Sequence, residues 1–164
     1  MKMPWVCAAV VLALVTPAWA EEELYWDSPI EIDKIHQMVK ALETDPLGKD
    51  AKALLVGLYA FMDKMDPEFV VCLSQFAPLL DSKKGAHEDL WMHVAIASGD
   101  YLLDHPEDIE NEPAYQEAGL EGMLRAYENM VRAKPKLRHE FLEHLVELRD
   151  QGNLRQHVMD NMCE

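Results

Sequence analysis

From residue 30 onward, apolar side chains recur three and four positions apart, and proline or glycine closes each run. That period suits the buried stripe of an α-helix rather than the alternation of a half-buried strand, which restricts the chain to short helices packed along apolar faces. Ile32, Ile35, Met38, Val39 and Leu42 form the first run. It starts at the capping box Ser28-Pro29-Ile30-Glu31 and stops at Asp45-Pro46 and Gly48. A second helix is expected over 49–65, with Leu54, Leu55, Leu58, Phe61, Met62 and Met65 on its apolar side. Asp66-Pro67-Glu68 marks the opening of a third, carrying Phe69, Leu73, Phe76 and Leu80, with Pro78 kinking its last turn. The segment 69–73 has strand propensity, but no other segment offers it a partner, so a strand is rejected.

A polar loop at Gly85 leads to a fourth helix over about 86–104, with Leu90, Trp91, Val94, Tyr101 and Leu102. The fifth is expected over 111–133 and the sixth over 135–151, stopped by Gly152. Asn153 then caps a short last helix ending near Cys163. The expected fold is all-α, a compact array of antiparallel helical hairpins with about seven helices. Pro67, Pro106 and Pro135 punctuate it much as prolines punctuate tetratricopeptide repeats. Their spacing is unequal, however, and Ser98 falls where the repeat needs an aromatic, so the likeness is to helical-hairpin packing in general. Gly57, Gly99, Gly119 and Gly122 lie inside helices, each at a cost of about 1 kcal/mol against alanine, which points to close helix crossings.

Residues 1–20 stand apart from this pattern. Lys2 precedes an unbroken apolar run over 6–15, and Ala18 and Ala20 supply the small residues of a cleavage site. A signal peptide cleaved after Ala20 is expected, leaving a single domain over 21–164 in the periplasm or secreted. The run is shorter than the roughly 20 residues a bilayer span needs, and no later run approaches that length, so no membrane insertion is expected. Cys7 leaves with the leader, and the remaining pair, Cys72 and Cys163, is expected to form a disulfide that closes the C-terminus. Met159 and Met162 are expected to pack beside it.

The formal net charge of −15 repels phosphate backbones and argues against nucleic-acid binding, while 49% hydrophobic residues argue against disorder. His139-Glu140-Phe141-Leu142-Glu143-His144 approaches a zinc-protease motif, but the position four after His139 is Glu143 and the second histidine falls one later. It is read instead as Phe141, Leu145 and Leu148 facing the core, with His139–Glu143 and Glu140–His144 as solvated pairs. The motif spacings of EF-hand, di-iron, P-loop and serine-nucleophile sites are all missing, so no catalytic residue, cofactor or metal is assigned.

Acidic residues are densest at Asp100, Asp104, Glu107, Asp108, Glu110 and Glu112. A solvated loop explains such density; as a binding feature, Asp104, Glu107, Asp108, Glu110 and Glu112 would suit a basic protein partner. Tyr101-Leu102-Leu103-Asp104-His105-Pro106-Glu107, followed by Ala114 and Leu120, resembles the Y-L-x-x-H-P-E tail of small periplasmic immunity proteins of type VI secretion. That likeness leaves out the family's additional cysteines and the last two helices of this chain. It implies an immunity-type role, neutralising a secreted toxin, as one alternative. The leading reading is a non-enzymatic extracytoplasmic module that binds another protein or acts as an accessory to one. An enzyme with a dispersed active site is the second alternative.

Overall fold

The computed structural model describes residues 29–72, 76–80, 87 and 89–163, and among them seven helices carry the fold. They are α1 (Pro29–Thr44), α2 (Ala51–Met62), α3 (Ala77–Leu80), α4 (Leu90–Asp104), α5 (Glu112–Ala133), α6 (Glu140–Asp150) and α7 (Leu154–Asp160). Single 3-10 turns over Pro106–Glu110 and Pro135–Leu137 precede α5 and α6. No strand occurs among the described residues, and residues 69–72 are irregular. The expected leader, its cleavage site, Ser28 of the capping box, Leu73 and the Gly85 loop lie outside the described residues.

The 22-residue α5 is the axis of the fold, packed against α1, α4, α6 and α7. Leu120, Met123, Leu124 and Tyr127 on α5 join Leu90 and Val94 of α4, Leu142 and Leu145 of α6, and Leu154 and Val158 of α7 in one apolar cluster. A second cluster gathers Ile35, Val39 and Leu42 of α1, Leu55, Leu58 and Met62 of α2, and Ile96 of α4. Each fully buried aliphatic side chain of this kind contributes about 1.5–3 kcal/mol. Because α4 faces both clusters, its residues 93–99 are all buried, including Ala95, Ala97, Ser98 and Gly99. A helix enclosed on every side shows little one-sided stripe in sequence.

The expected third helix does not open at Asp66-Pro67-Glu68; among the described residues there, the α-helix is Ala77–Leu80. β-Branched Val70 and Val71 are weak helix formers, and Cys72 is held by its bond to Cys163. Val70 is 60% exposed. Pro78 therefore sits in the first turn of α3, where its missing N–H costs nothing, and kinks no helix. The expected sixth helix also starts later. Pro135 opens the 3-10 turn, Arg138 and His139 are extended, and α6 begins at Glu140. Helices α2 and α4 are shorter than expected at their ends, by about a turn or less.

Three of the four helical glycines sit at close approaches. A Cβ on Gly99 would crowd Met62, one on Gly119 would crowd Val94 and Ser98, and one on Gly122 would crowd Ala97 and Glu43. Gly57 does not follow the expectation, having nothing within 4 Å of its Cβ position. Cys72 and Cys163 are joined, with Cα atoms 5.5 Å apart, which ties the chain's end to the segment before α3. Cys72 is fully buried and Met162 packs against the larger cluster, but Met159 is 46% exposed and does not join it.

Candidate functional site

Helix α4 ends at Asp104 because Pro106 follows: the residue before a proline is pushed out of helical geometry, and His105 adopts φ −129°, ψ 59°. Pro106 then starts the 3-10 turn with its ring where no amide donor is needed. The reversal lays Pro106 and Ile109 beside Leu102 and Leu103 of α4. With Ile32 of α1 and Met65, Asp66 and Pro67 after α2, they line an open groove of about 570 Å³. Among the described residues that line it, seven are apolar and Asp66 is polar.

Further carboxylates neighbour this floor along the chain. Glu107, Asp108 and Glu110 belong to the turn that supplies Pro106 and Ile109. The Asp104 side chain is 60% exposed and that of Glu107 is 74% exposed, with His105 Nδ1 3.8 Å from a Glu107 oxygen. Asp108 braces the turn itself, because it accepts a hydrogen bond from the Tyr101 hydroxyl and one of 3.0 Å from Asn111 Nδ2. Those two bonds, Tyr101 first, hold its carboxyl below the usual carboxylate range. The Tyr101 ring also stacks on His105, with centroids 4.5 Å apart, which fixes the corner between α4 and the turn.

Glu112 does not join this group. Its carboxylate accepts from Gln116 Nε2 one helical turn on, and Gln116 is fully buried beside Cys72. The five acidic positions singled out in the sequence therefore divide. Asp104, Glu107 and Glu110 are exposed and adjoin groove residues in the chain, Asp108 holds the turn together, and Glu112 belongs to the packing around the disulfide.

Sequence reasoning did not single out His36. Its Nδ1 lies 2.7 Å from Asp100 Oδ1 and its Nε2 3.2 Å from Asp104 Oδ1, so α1 and α4 are bridged across the edge of the same region. Partial burial works to lower the histidine's pKa, but the hydrogen bond and charge of Asp100, together with Asp104, outweigh it and raise the pKa above 6.5. Burial raises the Asp100 carboxyl despite its bond to His36. Carboxylates four apart on one helix face are legible in the sequence; their partner on another helix is not.

In the His139–His144 string, Glu143 serves residues outside the string. Glu143 accepts from the Tyr127 hydroxyl at 2.6 Å and from Arg138 at 2.6 Å. The His139 amide donates to the Tyr127 oxygen at 2.9 Å, and the His139 ring stands 5.2 Å from that of buried His87. Burial, then the bond to Glu143, pushes the Tyr127 hydroxyl up to about 12. As expected, Leu145 is buried and Phe141 and Leu148 pack against the larger cluster, while Leu142, also fully buried, joins them. Among the described residues, no group of three or more His, Cys, Asp or Glu side chains is placed to hold a metal ion. Among them too, no helix is long and apolar enough to cross a membrane.

Comparison with protein-family models, with curated proteins and with solved structures found no match.

Proposed function

We propose that this chain is an extracytoplasmic, non-enzymatic binding or accessory protein whose antiparallel helical hairpins present the groove at the α4–α5 corner to a basic segment of another protein. The observation that carries the reading is an apolar floor edged by Asp66, with exposed carboxylates adjoining its residues in the chain. Leu102, Leu103, Pro106, Ile109, Ile32, Met65 and Pro67 offer surface for apolar anchors, while Asp66, Asp104, Glu107 and Glu110 would face Lys or Arg on either side. The net charge of −15 adds long-range attraction for a basic partner and repulsion of nucleic acid. The leader over residues 1–20, cleaved after Ala20, would place the encounter in the periplasm or outside the cell.

A photo-crosslinking residue at Ile109, and a control at Lys136 on the separate Pro135–Leu137 turn, tests this in the exporting host. Crosslinks from position 109 to a basic protein, lost on Glu107→Lys with Glu110→Lys and weakened by salt, are expected. Crosslinks that form equally from position 136, or that survive both charge reversals, refute the groove as the binding surface.

A further inference from the structure

A second cavity, of about 260 Å³, lies between α2, α4 and the irregular segment after α2. Tyr59, Phe69 and Trp91 line it, with Met62, Met65, Val71 and Ala95 completing the apolar wall and Asp63 and Glu68 the polar one. No basic side chain lines it among the described residues. We propose that this cavity is a binding site for an organic ammonium cation, of the quaternary type carried by choline or by a methylated lysine side chain.

Three features of the cavity converge on such a guest. The Tyr59 and Trp91 rings stand 5.2 Å apart with planes at 82°, two walls of a corner. An edge-to-face pair leaves both faces of the ring that supplies the edge open to a guest, and aromatic faces attract cations through their quadrupole. Phe69 adds a third ring, held at 74° to buried Tyr115 with centroids 5.9 Å apart, so it is positioned rather than loose. Asp63 and Glu68 are exposed side chains on the cavity wall and supply the counter-charge. Asp63 also caps the C-terminal end of α2, where the helix dipole favours positive charge. Sodium or an ordinary ammonium ion would keep its water shell. A methylated ammonium is weakly hydrated, has an apolar surface that suits Met62, Val71 and Ala95, and keeps its charge for the rings. This site is separate from the groove proposed above; among the described residues, Met65 alone lines both.

The mature, disulfide-bonded chain can be titrated with tetramethylammonium, with choline and with 3,3-dimethylbutan-1-ol, the uncharged isostere of choline, while the Trp91 indole is followed by NMR. Saturable shifts at millimolar choline or tetramethylammonium are expected, with the isostere about tenfold weaker. Asp63→Asn should weaken the cations about threefold and leave the isostere unchanged. Trp91→Leu, with melting followed in parallel, should abolish binding. A trimethyllysine peptide that binds more tightly than choline places the natural cation on a protein; the reverse order places it on a small solute. Equal binding of choline and its isostere, or no saturable shift with any cation, overturns the proposal without recourse to a variant.

Discussion

A Cβ added to Gly119 would stand 2.7 Å from the Val94 carbonyl oxygen and 2.9 Å from a Val94 methyl, so bare backbone on α5 is what lets it lie against α4. Ser98 fills the adjacent space, its hydroxyl donating to the Tyr115 carbonyl at 2.8 Å. Alanine is the better helix former, yet here the overpacking should dominate. Gly119→Ala should lower stability by about 1–3 kcal/mol, seen as a lower urea midpoint with unchanged slope.

Gly57 is the opposite case. It lies mid-way along α2, exposed, with open space where a Cβ would go. Gly57→Ala should raise stability by about 0.5–1 kcal/mol, since only the helix propensity changes. A destabilised variant in urea titration would mean that α2 is held against something there.

His93 makes the fold sensitive to mild acid. Burial lowers its pKa from 6.5 to about 4. The unfolded chain therefore takes up this proton first, and stability falls as pH drops from about 6.5 towards about 4. One group shifted this far accounts for a loss of about 3 kcal/mol across that window. Thermal melts at stepped pH should show a shallower decline for His93→Leu than for the parent protein.

His36 acts at the other end of the range. Its folded pKa is raised above 6.5, so the stability it contributes is fully present below 6.5 and is lost as pH rises through the folded value. His36→Gln should flatten the melting profile above pH 6.5 and leave the acid side nearly unchanged. NMR titration of the His36 ring provides the direct check, and an apparent pKa below 6.5 would refute the pairing with Asp100.

The bridge between Cys72 and Cys163 joins positions 91 residues apart. Replacing both by alanine should cost about 2–4 kcal/mol through the freed unfolded chain. Helix α7, however, is also held by Leu154, 2% exposed, and Val158, 1% exposed. Reduction should therefore speed amide exchange at 161–163 first and leave 154–160 protected until the body melts. Simultaneous loss of protection across 154–163 would show that the disulfide alone anchors α7.

What is legible in the sequence follows a physical pattern. Helices α1, α5 and α7 can be read from their own residues, because their apolar stripes and their flanking Pro, Asn and Gly act over a few positions. The acidic cluster beside the groove's turn is legible for the same reason: Asp104, Glu107 and Glu110 lie close together in the chain. The groove's floor is not. Ile32, Met65 and Pro67 reach Leu103 and Ile109 only once α1 and α2 dock on α4, and nothing local in the sequence encodes which faces meet.

The same limit governs the places where structure and sequence expectation part. Residues 66–76 carry apolar side chains at helical intervals, but Cys72 is fixed by a bond to the far end of the chain, and that bond acts on a segment of weak helix propensity. Tyr127 and Arg138 both donate to Glu143, a pairing between groups on different elements of the fold. In sequence, glycine is a cost common to four positions; the tertiary structure alone decides that Gly119 is required and Gly57 is not. Backbone preference is a property of a residue and its neighbours. Close approach is a property of two surfaces, and it exists only after the chain has folded.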